Sequence, residues 1–132
     1  MSREIRFRIW DGVSILDVNE ISFERQIVFC KFCDSSVFSF KDIELMQYTG
    51  INDENGNEVY ESDIVDLKIE HNAGFDFSGI SVEYITGEVK WDDRSVCYLV
   101  GSLPLTACEN SIIIVVGNIY ENPELLNHEE MI

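Results

Sequence analysis

The sequence predicts a mostly β protein, a barrel or sandwich-like single domain with short peripheral helices. Two observations support this prediction: β-branched and aromatic residues come in short runs separated by tight-turn residues, and almost no stretch has the spacing of an amphipathic helix. The chain has 132 residues, 45% of them hydrophobic, which is enough for one core. We therefore expect one domain over residues 1–132, with a frayed tail over 127–132.

Strands account for most of this prediction. Ile5, Phe7 and Ile9 alternate with arginines, so that one face is buried and the other is solvated, as in a strand. Further runs rich in β-branched or aromatic residues are also expected to be strands: 13–18, 21–23, 26–32, 37–40, 64–69, 81–91, 95–100 and 112–116. The run 112–116 is apolar throughout, which is typical of a strand at the centre of a sheet.

Turn residues separate these runs. Asn55-Gly56 is the strongest tight-turn signal in the chain. Asp34-Ser35-Ser36 and Asp92-Asp93-Arg94 are each expected to join the two strands of a hairpin. The segment 71–79 contains two glycines and is expected to be a flexible loop.

Two short segments are candidate helices. Residues 42–46 fit a helical turn capped by Asp42, but a strand that begins within 45–49 fits equally well. Near the end, Asn122-Pro123-Glu124 combines an N-cap residue, a proline suited to the first helical position and an acid that favours the helix dipole. A short C-terminal helix is therefore predicted over 123–127.

Four blocks of sequence carry a resemblance to a known family. They are RFRIWD at 6–11, LMQYTGI at 45–51 with DENGNEVYESDIV at 53–65, GEVKWDD at 87–93, and VGNIYENPELL at 116–126. With these blocks in this order, the chain resembles the YopX family. The chain departs from the family pattern at Ser62, where the family usually has glycine. The resemblance implies a mostly β fold encoded by a phage or prophage, and the family pattern defines no catalytic or binding residues to transfer.

The residues of these blocks have a structural explanation. Gly50 and Gly56 are expected to supply positive φ in turns. Four large aromatic residues are expected in the core or at its rim: Trp10, Tyr48, Trp91 and Tyr120. The alternative is that some of the blocks form a binding surface, because exposed loops often carry function.

The cysteine and histidine residues do not form a metal-binding pattern. Cys30 and Cys33 resemble half of a zinc site, but a structural site needs four ligands. The remaining candidates have no second paired spacing: His71, Cys97, Cys108 and His128. The acidic segment 53–64 also lacks the glycine and final glutamate of a calcium-binding loop. We expect inert cysteines and no cofactor or metal.

No catalytic arrangement is apparent in the sequence. Nucleophilic catalysis needs a histidine near a serine or cysteine, and only His71 and His128 are available. Glycine-rich phosphate-binding loops are absent from the sequence. With 25 acidic residues, a pair of neighbouring carboxylates occurs by chance and carries no information. We therefore expect that the protein is not an enzyme.

The net charge of −16 limits the possible partners. Nucleic acid and anionic membranes repel such a protein, because binding to phosphates requires clustered lysine and arginine. The longest apolar run, 112–117, is far shorter than the ~20 residues of a membrane-spanning helix. The N-terminal residues lack the apolar region of a signal peptide, so the expected location is the cytoplasm of a bacterial host cell.

A cluster of acids within 51–66 is the candidate partner surface. It contains no lysine or arginine, and its central members are Asp53, Glu54, Glu58, Glu61 and Asp63. The leading hypothesis is a non-catalytic accessory module that binds or regulates a host or phage protein through this surface, with a basic protein as one candidate partner. Three alternatives remain: a mimic of DNA that inhibits a nucleic-acid-binding protein, an enzyme with an unrecognised site, and acidity that serves solubility alone. Homo-oligomers are compatible with the sequence.

Overall fold

The computed structural model describes residues 4–31, 36–72, 80–105 and 111–126. The chain divides into two compact units, Met1–Gly50 and Ile51–Ile132, and each is treated separately below. Strands dominate the described residues, and their helical segments are two short 3-10 turns. The mostly β prediction is therefore confirmed. The barrel or sandwich form and the single domain over 1–132 stay predictions.

The first unit is an antiparallel sheet. Its elements are β1 (Phe7–Trp10), β2 (Ile15–Ser22), β3 (Ile27–Cys30), β4 (Val37–Ser39), a 3-10 turn (Phe40–Asp42) and β5 (Glu44–Asn52), whose end passes into the second unit. The strands are arranged in the order β4-β3-β2-β1-β5. Ile9 and Val28 are fully buried beside Cys30. Leucine, valine, isoleucine and phenylalanine side chains from the neighbouring elements complete this core.

The second unit contains a five-stranded antiparallel sheet. Its elements are β6 (Glu58–Tyr60), β7 (Asp63–Asn72), β8 (Ile80–Asp92), β9 (Cys97–Val100), β10 (Leu103–Pro104), β11 (Ser111–Asn118) and a 3-10 turn (Pro123–Leu126). The sheet has the order β10-β9-β8-β7-β11. The buried core cluster of this unit consists of four valines and a leucine: Val59, Val65, Val89, Val100 and Leu105. Burying one such side chain contributes about 1.5–3 kcal/mol.

The hairpins of the second unit agree with the turn signals in the sequence. β7 and β8 pair from Ile64↔Glu88 to Asn72↔Ile80, so residues 71 and 72 of the predicted loop belong to a strand, and 73–79 lie outside the described residues. β8 and β9 are joined by a turn at 93–96, where the Asp92 carboxylate accepts the Ser95 N–H at 2.8 Å. In the first unit, β3 and β4 also form the predicted antiparallel pair.

The predicted C-terminal helix is not confirmed as such: Pro123–Leu126 forms a short 3-10 turn. Asn122 precedes this turn as expected: its carbonyl accepts the Leu125 N–H at 3.1 Å, and its Oδ1 accepts the Asn118 N–H at 3.3 Å. This amide lies so close to Gly117 that a Cβ atom there would be 2.5 Å from Oδ1. Asn127 lies outside the described residues. No helix within the described ranges is long and apolar enough to cross a membrane.

Two further alternatives are decided by the structure. The helical turn near residue 42 ends at Asp42 and β5 begins at Glu44, so 45–49 is part of a strand.

The apolar run 112–116 was expected at the centre of a sheet, and this expectation is wrong. β11 lies at one end of the strand order, with β7 as its only strand neighbour among the described residues.

Positive φ angles occur at the expected glycines and at one informative serine. Gly50 and Gly56 have φ of 89° and 84°, as predicted. Ser62 has φ of 71°, a region that costs an L-residue about 1 kcal/mol. Its N–H donates to the Val89 carbonyl at 2.9 Å, and its carbonyl accepts the Ile119 N–H at 3.0 Å. These two bonds hold Ser62 in a conformation that glycine adopts without strain.

Ser62→Gly is expected to raise the free energy of unfolding by roughly 0.5–1 kcal/mol, because it removes this backbone strain. Ser39→Gly is the matched control, since Ser39 has φ of −75° and gains no relief. It is expected to lose stability through the greater flexibility of the unfolded chain. Urea denaturation of both variants checks this. If Ser62→Gly destabilises as much as Ser39→Gly, the positive φ at Ser62 is refuted.

Candidate functional site

The five predicted surface carboxylates divide into buried and accessible groups. Asp53 and Asp63 are buried, with exposed fractions of 7% and 1%. Glu54 is exposed, and Glu58 and Glu61 are half-buried. The accessible acids of this segment are therefore the three glutamates, while the two aspartates face the interior.

Asp53 organises the turn between β5 and β6, which we call the Asp53 turn (residues 53–57). Its Oδ1 accepts the backbone N–H groups of Asn55 at 2.9 Å and Asn57 at 2.8 Å. The Asp53 N–H donates to the Asn57 carbonyl at 2.8 Å, and the Gly56 N–H donates to the Asp53 carbonyl at 3.0 Å. One aspartate thus supplies hydrogen bonds that these N–H groups would otherwise have to form with water.

The same carboxylate also bonds to β11. Asp53 Oδ2 accepts the Val115 N–H at 3.0 Å, and the neighbouring Glu54 N–H donates to the Ile113 carbonyl at 2.9 Å. Ile113 and Val115 are two residues apart, so their backbone groups point to the same edge of β11. Because this carbonyl and this N–H bond to the Asp53 turn, that edge is the one away from β7. Hydrogen bonds to a charged group contribute about 1.5–3 kcal/mol each. The turn therefore takes the position of a missing neighbouring strand.

The pKa of Asp53 reflects this environment. Burial alone raises the pKa of the carboxyl group, but hydrogen bonds from Val115, Asn57 and Asn55 lower it. The lowering prevails, so the carboxyl group is ionised well into the acidic range. An ionised acceptor can serve several N–H donors at once, which suits a residue that holds two segments together.

Asp63 has a similar structural role at the start of β7. Its Oδ2 accepts the Tyr60 N–H at 2.8 Å, inside the turn that contains Ser62. The Tyr60 hydroxyl donates to Glu58 Oε1 at 2.9 Å, which orients this glutamate at the surface. Glu58 therefore combines a fixed position with partial exposure, as a preorganised partner contact would require.

Charge is distributed unevenly between the two units. Ile51–Ile132 contains 17 of the 25 acidic residues but only three of the nine basic residues, a formal charge of −14. Met1–Gly50 contains eight acidic and six basic residues, a formal charge of −2. The accessible glutamates of the 53–61 segment belong to the strongly acidic unit. A cationic partner is therefore attracted to that unit far more than to the first.

Sequence reasoning underestimated the exposure of one aromatic residue. Trp91 is 46% exposed, and its ring meets Tyr98 edge-on with centroids 5.1 Å apart. It lies at the rim of the core, whereas Tyr48 is buried as expected. Trp91 is flanked in sequence by bases at 90 and 94 and by acids at 88, 92 and 93.

The described residues contain no group of three or more His, Cys, Asp or Glu that could hold a metal ion. Cys30 is buried and unpaired, and burial, followed by the charges of Asp11 and Asp17, raises the pKa of its thiol. A thiol with a raised pKa is a poor nucleophile. Cys33, Cys108 and His128 lie outside the described residues, as does the side chain of His71. The expectation of no metal and no cofactor stays a prediction.

Stability should depend on pH through Asp53. Because its folded-state pKa is lowered, its contribution is complete above the unfolded-state pKa of about 3.9 and is lost as pH falls through the folded-state value. Asp53→Asn cannot titrate, and both proteins share every other acid. The difference in unfolding free energy between parent and variant should therefore shrink below pH ~4. Denaturation curves at several pH values measure it, and a difference that stays constant down to pH 2 contradicts the assignment.

Comparisons with known proteins agree with the fold and the sequence blocks. A family model described as YopX protein matches residues 6–127. Among solved structures, the chain is similar to the crystal structure of protein EF1440 from Enterococcus faecalis, with a TM-score of 0.62 and 24% sequence identity. That similarity covers 95% of this chain and 99% of the other, and it concerns the fold. A search of curated proteins gave no match. Because the family model spans nearly the whole chain, the protein belongs to the YopX family.

Proposed function

We propose that this protein is a phage or prophage accessory protein that binds another protein without catalysis, in the cytoplasm of a bacterial host. The observation that carries the proposal is the concentration of acidic residues in one unit, 17 acids with only three bases over Ile51–Ile132. Such a surface favours a basic protein partner and disfavours nucleic acid and anionic membranes. The phage or prophage origin rests on the family resemblance of the sequence blocks.

The contact surface proposed here is centred on Glu54, Glu58 and Glu61. The Asp53 carboxylate fixes the turn that contains Glu54, and the Tyr60 hydroxyl donates to the Glu58 carboxylate. A partner therefore meets charges whose positions are already fixed, so less conformational entropy is lost on binding. Asp53 and Asp63 are buried and bond to the backbone that carries this surface, so they do not contact the partner.

The test is a triple substitution, Glu54→Gln with Glu58→Gln and Glu61→Gln, which removes charge with little change in shape. Exposed residues of the first unit supply a control with the same change in charge: Asp17→Asn, Glu20→Gln and Glu24→Gln. Each tagged protein is used to capture partners from bacterial lysate at low and high salt. The association and dissociation rates of the captured partner are then measured with purified components.

The triple variant should associate several-fold more slowly at low salt, with little change in dissociation, because charge acts mainly on the encounter step. The control should behave like the parent, and added salt should slow the parent, since exposed charges are screened beyond about 8 Å at 0.15 M. A partner that binds the triple variant and the parent equally, or that is indifferent to salt, contradicts the proposal. If DNA displaces this protein from its partner, the partner's DNA-binding surface is the target, and mimicry of nucleic acid becomes the specific mechanism.

A further inference from the structure

The edge strand β11 has a composition that normally requires protection. The eight residues Ser111–Asn118 contain no charge and no proline, and five successive residues are isoleucine or valine. Ile114 and Val116 are partly exposed, at 37% and 38%. An apolar, β-branched strand at the edge of a sheet presents unpaired N–H and C=O groups to which another strand can add.

The Asp53 turn occupies the middle of that edge. In an antiparallel ladder, the Ile113 carbonyl would accept the N–H of one residue on the next strand, and the Val115 N–H would donate to the carbonyl of another residue two positions away. Here the Glu54 N–H donates to the Ile113 carbonyl at 2.9 Å, and the Asp53 carboxylate accepts the Val115 N–H at 3.0 Å. The carboxylate thus occupies the place of a strand carbonyl.

The end of β11 is closed in a second way. The Asn118 N–H donates to Asn122 Oδ1 at 3.3 Å, and the Asn122 N–H donates to the Asn118 carbonyl at 2.9 Å. Asn118 Oδ1 in turn accepts the N–H groups of Tyr120 and Glu121. Two short local segments therefore engage the outward groups of a strand that has no neighbouring strand on this side among the described residues.

We propose that the outer edge of β11 is a pairing surface for a second copy of this chain, and that the Asp53 turn keeps it closed. A second copy is the matching occupant because Ser111–Asn118 carries no charge. Two copies of this strand can pair antiparallel without placing like charges opposite each other, although the chains as a whole repel. Such pairing has twofold symmetry, with the same residues contributed by both copies. The Asp53 turn that covers this edge also carries Glu54 of the acidic contact surface, but the pairing surface itself is the backbone edge of β11.

Asp53→Asn opens the edge selectively. Oδ1 serves the two N–H groups inside the turn, so the asparagine carbonyl keeps that position and its amino group faces the Val115 N–H. Two donors then oppose each other, and the edge bond is lost. Asp53→Ala removes both contacts and is the stronger second variant.

The experiment measures mass by light scattering during gel filtration, together with hydrogen exchange at the Val115 amide. Both variants should form dimers or larger species relative to the parent at the same concentration while their circular dichroism stays native. The Val115 amide of monomeric Asp53→Asn, at high dilution, should exchange about tenfold faster or more, while amides of the β7–β8 hairpin are unchanged. Adding Ile114→Lys should restore the parental mass, because a charge on an edge strand opposes pairing.

Val100→Ala is the control for general destabilisation. Val100 is buried in the core of the same unit, and it does not belong to β11 or to the Asp53 turn. This variant should melt earlier but keep the parental mass at temperatures where it is folded. The proposal is overturned if Asp53→Asn and Asp53→Ala keep the parental mass, or if Val100→Ala self-associates to the same extent at an equal folded fraction.

Discussion

The second unit depends on one carboxylate. Asp53 accepts backbone N–H groups from Asn55 and Asn57 within its own turn and from Val115 in a strand 62 positions away in sequence. These bonds fix the shape of the turn and hold it against β11 at the same time. The aspartate is ionised and nearly buried, and its hydrogen bonds compensate the cost of removing it from water.

This arrangement separates two roles that look alike in the sequence. Asp53 faces inward and supports the backbone, whereas the next residue, Glu54, faces solvent while its N–H bonds to β11. Asp63 repeats the inward role at the next turn, and the glutamates at 58 and 61 remain accessible. The acidity of the segment therefore combines a buried scaffold with a charged surface, and substitutions must distinguish the two before they report on function.

Local chemistry predicted the turns better than the positions of the strands. Gly50 and Gly56 were assigned correctly because positive φ is a property of the residue itself, and the strain at Ser62 follows from the same rule. β11 was misplaced because an apolar run has the same composition whether a second strand or a carboxylate covers its edge. The bond from the Asn118 N–H back to the Asn122 side chain was not predicted, because it depends on the close approach at Gly117. The Asp53–Val115 bond has no local signal at all.

The bond between Val115 and Asp53 can be observed directly by nuclear magnetic resonance. A long-range experiment that transfers magnetisation through hydrogen bonds correlates an amide nitrogen with the carbon of its acceptor. At neutral pH, the account predicts a cross-peak between the Val115 amide nitrogen and the Asp53 side-chain carboxyl carbon, with a slowly exchanging Val115 amide proton. A cross-peak from Val115 to a backbone carbonyl, or rapid exchange of its amide proton with solvent, would contradict it.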